Sequence, residues 1–118
     1  MILADTSVWI DHLSKPNEVV SRLLRDKKIV LHPFVIGEIA LGNLRNRQAI
    51  LSNLLELRTL RVSAEQDVLS VIEINSLYGM GIGYVDCHLL AAADLARARL
   101  WTTDKRLAAA AQKMGLSI

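Results

Sequence analysis

Cysteine is almost missing: Cys87 is the only one in 118 residues. An internal disulfide is therefore excluded, and so is a Cys-rich zinc site. Histidine is scarce too. His12, His32 and His88 form no i, i+4 pair and sit near no Cys–Cys set, so each is expected to be a packed or surface residue rather than a metal ligand. Phe, Tyr and Trp make up 4% of the chain. Leu, Ile, Val and Ala must build the core, with Trp9, Trp101 and the small apolar Cys87 joining them. No apolar run approaches the ~18 residues of a membrane span. The opening MILADTS shows neither the basic stretch nor the long apolar stretch of a secretory signal. The expectation is a cytoplasmic protein with no membrane contact. Neither sign of charge dominates: the net charge is +2, which allows nucleic-acid binding without demanding it. Repeats, linkers and low-complexity segments are missing as well. The length predicts one domain over residues 1–118.

What is present is an alternation of short apolar runs with amphipathic ones. Strands are predicted at residues 1–5, 29–33, 58–62 and 100–103, with a final edge strand at 116–118. Helices are predicted at 7–14, 18–27, 34–44, 46–57, from Ser63 to about Tyr78, at 84–98 and from Asp104 to near Gly115. Ser63 reads as an N-cap, with Gln66 closing a capping box. Strands alternating with helices predict an α/β domain around a mainly parallel sheet flanked by helices. Gly79, Gly81 and Gly83 resemble a phosphate-binding loop. They follow a helix rather than the first strand, so a helix C-cap and a flexible loop is the expected reading.

Four acids stand in apolar surroundings where an isolated carboxylate is costly: Asp5 in ILADTSVWID, Glu38 in FVIGEIALG, Asp86 in GYVDCHLLAAA and Asp104 in LWTTDKRLA. Asp5 and Asp104 close strands, and ligands of open parallel sheets bind beyond the carboxyl ends of the strands. Asp86 falls in the first turn of a helix, whose dipole favours an anion. Glu38 is expected half-buried unless it lines a cleft. Taken singly, Asp5 and Asp104 also read as helix N-caps and Glu38 as a salt-bridged structural acid. Gathered together, bare carboxylates repel: two unit charges ~4 Å apart cost roughly 4 kcal/mol at an effective dielectric near 20. A divalent cation is the usual remedy. Oxygen-only ligands favour Mg2+ or Mn2+ over zinc, and such sites hydrolyse phosphodiesters. Asp94, eight residues beyond Asp86 on the same helix, is expected to be a surface acid. Lys105 and Arg106, directly after Asp104, are placed to hold a polyanionic backbone.

In this order and spacing, DTSVWID, GEIALG, DCHLLAAA and LWTTDKRL resemble the PIN-domain ribonucleases, and more narrowly the VapC-type toxins of bacterial toxin–antitoxin pairs. The resemblance covers essentially the whole chain. It implies a PIN-like fold, Mg2+- or Mn2+-dependent cleavage of RNA, a homodimer, and an antitoxin that blocks the acidic cleft. It maps the family's catalytic and metal-binding acids onto Asp5, Glu38, Asp86 and Asp104. The hydroxyl after the first acid maps onto Thr6 or Ser7, and that of the T-x-D pattern onto Thr102. Two other readings stay open. A signalling receiver domain has similar length and an acidic Mg2+ pocket, yet LELRTLRVS offers no Asp where its phosphoacceptor belongs. A non-catalytic binding module could keep the same fold.

Overall fold

The computed structural model describes residues 1–118 throughout. Three short strands, β1 (Ile2–Ala4), β2 (Ile29–Val30) and β3 (Arg99–Trp101), form a parallel sheet in the order β2-β1-β3. Ile2 pairs with Ile29 on one side and with Arg99 on the other. Single parallel bridges extend the sheet outward, Leu31 to Thr59 beyond β2 and Leu100 to Ser117 beyond β3. The central strand is buried on both faces, which is why its residues read as a continuous apolar run. Seven helices flank the sheet: α1 (Thr6–Ser14), α2 (Glu18–Arg25), α3 (Pro33–Ala40), α4 (Arg47–Leu55), α5 (Glu65–Ile74), α6 (Tyr84–Ala96) and α7 (Lys105–Lys113). Parallel strands need such crossovers.

One cluster of 26 buried apolar residues forms the core. Most of α6 lies in it: every residue from 87 to 93 is buried, including Leu89, Leu90 and Ala93. Alanine at 91–93 lets neighbouring elements approach closely where larger side chains would hold them apart. Trp9 and Cys87 are buried as expected, while Trp101 is half-buried.

The structure departs from the sequence reading in several places, among them the end of α3, which stops at Ala40 rather than at residue 44. The strand expected at 58–62 shrinks to the bridge at Thr59, because Arg58, Thr59, Arg61 and Val62 stay exposed and only Leu60 reaches the core. The edge strand at 116–118 likewise shrinks to Ser117. Ser63 does not cap α5; Ala64 takes that position with no side-chain bond. The helix stops at Ile74 rather than Tyr78. Ser76 turns left-handed there (φ 51°), its N–H donates to the Glu73 carbonyl at 3.2 Å, and the Leu77 N–H donates to the Ile72 carbonyl at 2.9 Å. That is a Schellman end with a buried hydrophobe, Leu77, just past it. The glycines at 79, 81 and 83 are therefore not the cap of α5.

Two of the three histidines are interior. His32 caps α3: its Nδ1 accepts the Phe34 N–H at 3.0 Å, and Pro33 follows at the first helical position. Since Nδ1 is an acceptor, Nε2 carries the proton. That Nε2 is buried without a partner, as is Nδ1 of His88. The Phe34 ring stands edge-on to both imidazoles at 4.9 Å. Burial, with the nearby His88 acting the same way, pushes the His32 pKa down to about 4. In the unfolded chain the group protonates near its ordinary value of 6.5. Between those values the unfolded state binds the extra proton, so folding stability falls as pH drops from 6.5 toward 4. The full span is worth up to about 3 kcal/mol. The change His32→Asn keeps an N-cap acceptor, a side-chain oxygen in place of the Nδ1 nitrogen, and removes the titration. Denaturant unfolding at pH 7 and pH 4.5 should show a smaller acid loss in this variant than in the wild type. Equal losses would mean that His32 does not set the acid sensitivity.

Candidate active site

The chain direction through a parallel sheet decides which residues meet. Asp5 immediately follows β1, and Asp104 lies three residues beyond β3, so both stand at the carboxyl edge. Helix α3 leaves the same edge after β2 and carries Glu38 in its second turn. Helix α6 feeds into β3 at the opposite edge, so its first turn, with Asp86, points back to the carboxyl edge. All four acids expected from the sequence are thus brought to one side.

Each acid is fixed differently. Asp5 is buried, with 6% of its surface exposed. It caps α1: its Oδ1 accepts the Val8 N–H at 3.2 Å and the Ser7 hydroxyl at 2.5 Å. Its Oδ2 accepts the Thr102 hydroxyl. Both hydroxyls are themselves acceptors. Ser7 Oγ takes the Thr103 N–H at 3.1 Å, and Thr102 Oγ1 takes the Asp104 N–H at 3.0 Å. Asp104 caps α7, its Oδ1 accepting from Arg106 N at 2.8 Å and Leu107 N at 3.3 Å. Thus both Asp5 and Asp104 are N-caps, and the two readings of them are compatible, since a cap leaves lone pairs over. Glu38 is exposed rather than half-buried, because its face of α3 opens to the edge instead of the core. Its Oε1 accepts the Thr6 hydroxyl at 2.6 Å. Asp86 is half-buried, and its Oδ2 accepts the Gly83 N–H at 3.1 Å. Glu38 Oε2, Asp86 Oδ1 and Asp104 Oδ2 take none of these bonds.

Asp86 registers the gathering electrostatically. Burial pushes its carboxyl above the usual range, and the charges of Asp104, Asp5 and Glu38 push the same way against the Gly83 N–H. Three like charges acting on one carboxyl mean that four distant sequence segments share one field. Burial, and then the Asp86 charge, raise the adjacent Cys87 thiol, which suits an inert packed cysteine. Asp94 is exposed on α6, away from that turn, as expected of a surface acid.

The sequence reading missed the Gly83 N–H that orients Asp86. An acid three residues into a helix, reaching back to the residue before it, is half of a capping box, so the spacing was available. The double role of Ser7 and Thr102, donor to Asp5 and acceptor from the β3–α7 turn, left no local signal. Ninety-six residues separate Ser7 from Thr103.

The model of the PIN domain family matches residues 2–113. The chain is 42% identical over 119 residues to Ribonuclease VapC32 of Mycobacterium tuberculosis strain CDC 1551 / Oshkosh, covering all of this chain and 96% of the relative; the H37Rv strain gives the same values. Among solved structures it is similar to PAE2754 from Pyrobaculum aerophilum, with TM-score 0.69, 18% identity, and coverage of 99% of this chain and 87% of the other. It is also similar to FitAcB from Neisseria gonorrhoeae, with TM-score 0.65, 21% identity, and coverage of 95% and 94%. At such identities the two structures speak for the fold, while the full-length match and the family model speak for descent. The chain belongs to the PIN domain family.

Proposed function

We propose that the chain is a divalent-metal-dependent endoribonuclease acting as the toxin of a toxin–antitoxin pair. The observation that carries this reading is the shared field of Asp5, Glu38, Asp86 and Asp104 at one sheet edge. Family membership and the likeness to a named ribonuclease support it. The receiver reading requires a phosphoacceptor Asp in the segment 56–63, and after the single bridge at Thr59 that segment continues Leu60, Arg61 and Val62 with no Asp.

The donor set suits a hard cation, being carboxylate oxygen with open lone pairs. No three His, Cys, Asp or Glu side chains gather closely enough to enclose an ion by themselves. Mg2+ does not need such enclosure: it keeps several waters and takes one or two carboxylates plus substrate phosphate oxygens. Mn2+ accepts the same oxygen ligands. Asp5 and Asp86 would hold the ion, and Glu38 and Asp104 would act through waters or hold a second one. When bound, the ion supplies Lewis acidity toward a phosphoryl oxygen and a more acidic water. Glu38 or Asp104 orients the attacking water in line with the scissile bond and relieves it of its proton. Thr6 orients Glu38, while Ser7 and Thr102 hold Asp5 in one position. Lys105 and Arg106 hold the RNA backbone. Single-stranded or looped RNA is the substrate, because unstacked nucleotides can bring a phosphate into a narrow cleft. Attack by water leaves a 5′-phosphate and a 3′-hydroxyl.

The remaining partners belong to the same proposal: a second copy of the chain and a cognate antitoxin, in the cytoplasm. Leu41, Leu55, Ile74 and Leu95 all stand more than two-thirds exposed and are apolar side chains that the proposed assembly would cover. No helix is long and apolar enough to cross a membrane.

Pure protein should cleave an RNA pool with Mg2+ or Mn2+, and chelator should stop it. Asp5→Asn and Asp86→Asn should each reduce the rate by more than the roughly 100-fold that loss of an outer-shell partner costs a metal site. Circular dichroism should show the fold retained. Chelator-resistant cleavage that leaves 2′,3′-cyclic phosphate ends contradicts the mechanism. Thr102→Val keeps the side-chain shape and deletes the hydroxyl bridge from Asp5 to the Asp104 N–H; it should cost about 10- to 100-fold in rate. Full activity in that variant would remove Thr102 from the site.

A further inference from the structure

The loop between α5 and α6 carries Gly79, Gly81 and Gly83, and the three are not equivalent. Gly79 and Gly81 both have positive φ, 76° and 77°. A Cβ at Gly79 would meet nothing within 4 Å, and one at Gly83 would make ordinary contact with Asp86 Oδ2 at 3.8 Å. A Cβ at Gly81 would lie 2.9 Å from Nη1 of Arg106, 3.1 Å from its Cδ and 3.3 Å from its Cζ. Only at Gly81 is the space itself in use: the Arg106 side chain lies along the face where a side chain would be. The loop beneath it is anchored, since Leu77 is buried and Met80 and Ile82 pack on the core.

We propose that Gly81 is the seat of the Arg106 guanidinium, and that Arg106, held there between the Asp104 and Asp86 turns, positions a phosphate of the RNA backbone. The inference rests on the ribonuclease reading and deepens it: Arg106 already belongs to that reading, and what is added is Gly81 as the element that positions its guanidinium. Its connections to the acids run both ways. The Arg106 N–H is bonded to Asp104, and two residues past Gly81 the Gly83 N–H is bonded to Asp86. Four carboxylates at one sheet edge repel the polyanion they are proposed to act on, so a cation beside them offsets that repulsion. A free arginine loses much rotamer entropy on binding. One already laid against a loop loses less, and its planar fork can still present two N–H groups to a phosphate. The absence of a Cβ at Gly81 thus serves the backbone turn and the cation together.

The test measures binding without cleavage. Anisotropy of a short dye-labelled single-stranded RNA is followed through a salt series, with the full chain in chelator, and again with Mg2+ in the Asp86→Asn background. Arg106→Gln should weaken binding several-fold and lower the slope of log affinity against log salt by about 0.7, one single-strand phosphate contact. Gly81→Ala should produce the same loss. The double variant Gly81→Ala with Arg106→Gln should lose no more than Arg106→Gln alone. Lys28→Gln, at the opposite edge of the sheet, should leave the slope unchanged. If Gly81→Ala does not fold, Gly81→Asn takes its place, because Asn tolerates positive φ better and still brings a Cβ. Additive losses in the double variant would show that Gly81 acts only through the fold, and would overturn the seat. An unchanged slope in Arg106→Gln, or an equal loss in Lys28→Gln, would overturn the phosphate contact while leaving RNA binding standing. No RNA binding by the unsubstituted chain would overturn the ribonuclease reading and this inference with it.

Discussion

The Asp5 carboxylate, 6% exposed at the end of the central strand, accepts a backbone N–H and two hydroxyls. A buried charge with unfilled lone pairs is expensive, and these donors are what make it tolerable. Two of them come with conditions. The Ser7 and Thr102 hydroxyls must also accept from Thr103 and Asp104, so the start of α1 and the start of α7 are fixed to one another through a single side chain. The sheet supplies the rest: Asp5 N–H donates to the Trp101 carbonyl, locking β1 beside β3 at the same level. The geometry of the carboxyl edge follows from that junction.

Around it the protein accumulates negative charge that its own groups do not cancel. Asp86 is raised by burial and by its three acidic neighbours, which is a cost to the folded state near neutral pH. A fold that needed only helix caps at Asp5 and Asp104 would have no reason to bring Glu38 and Asp86 to the same edge. Hydrogen bonds from Thr6 and from the Gly83 N–H keep that repulsion in place, which is the observation behind the proposed cation site. The site and the fold are therefore in tension, and the hydrogen bonds to each acid hold that tension.

How much of this was readable beforehand depended on whether the signal was local. ILAD and LWTT read as short strands, the second one residue late against the observed Arg99–Trp101, and the helices at α1, α2 and α4 read from the spacing of their apolar residues. The acids were found because each breaks an apolar context. Residues 58–62 were misread because alternation of Arg, Leu and Val looks like a strand whether or not a neighbour pairs with it along its length; here only Thr59 finds one. The start and end of α5 were misplaced for a similar reason: Ser63 and Gln66 offered a plausible box, yet Ala64 begins the helix, and a left-handed Ser76 ends it where glycine was expected. Glu38 was expected half-buried from its apolar neighbours, but its exposure depends on where α3 lies against α1, which sequence spacing does not encode. The long-range hydroxyl bridges and the contact of Arg106 with Gly81 join residues far apart in the chain, so they appear only in three dimensions.

The central claim is that the four acids form one site for a divalent cation. Electron paramagnetic resonance of Mn2+ tests it most directly, since the free ion's signal is lost on binding and no RNA is needed. The account predicts that the protein quenches the Mn2+ signal, that Mg2+ competes it back, and that Asp5→Asn or Asp86→Asn weakens the quenching at least tenfold while the fold persists. A free-ion signal unaffected by the protein, or binding that survives both substitutions unchanged, would contradict it.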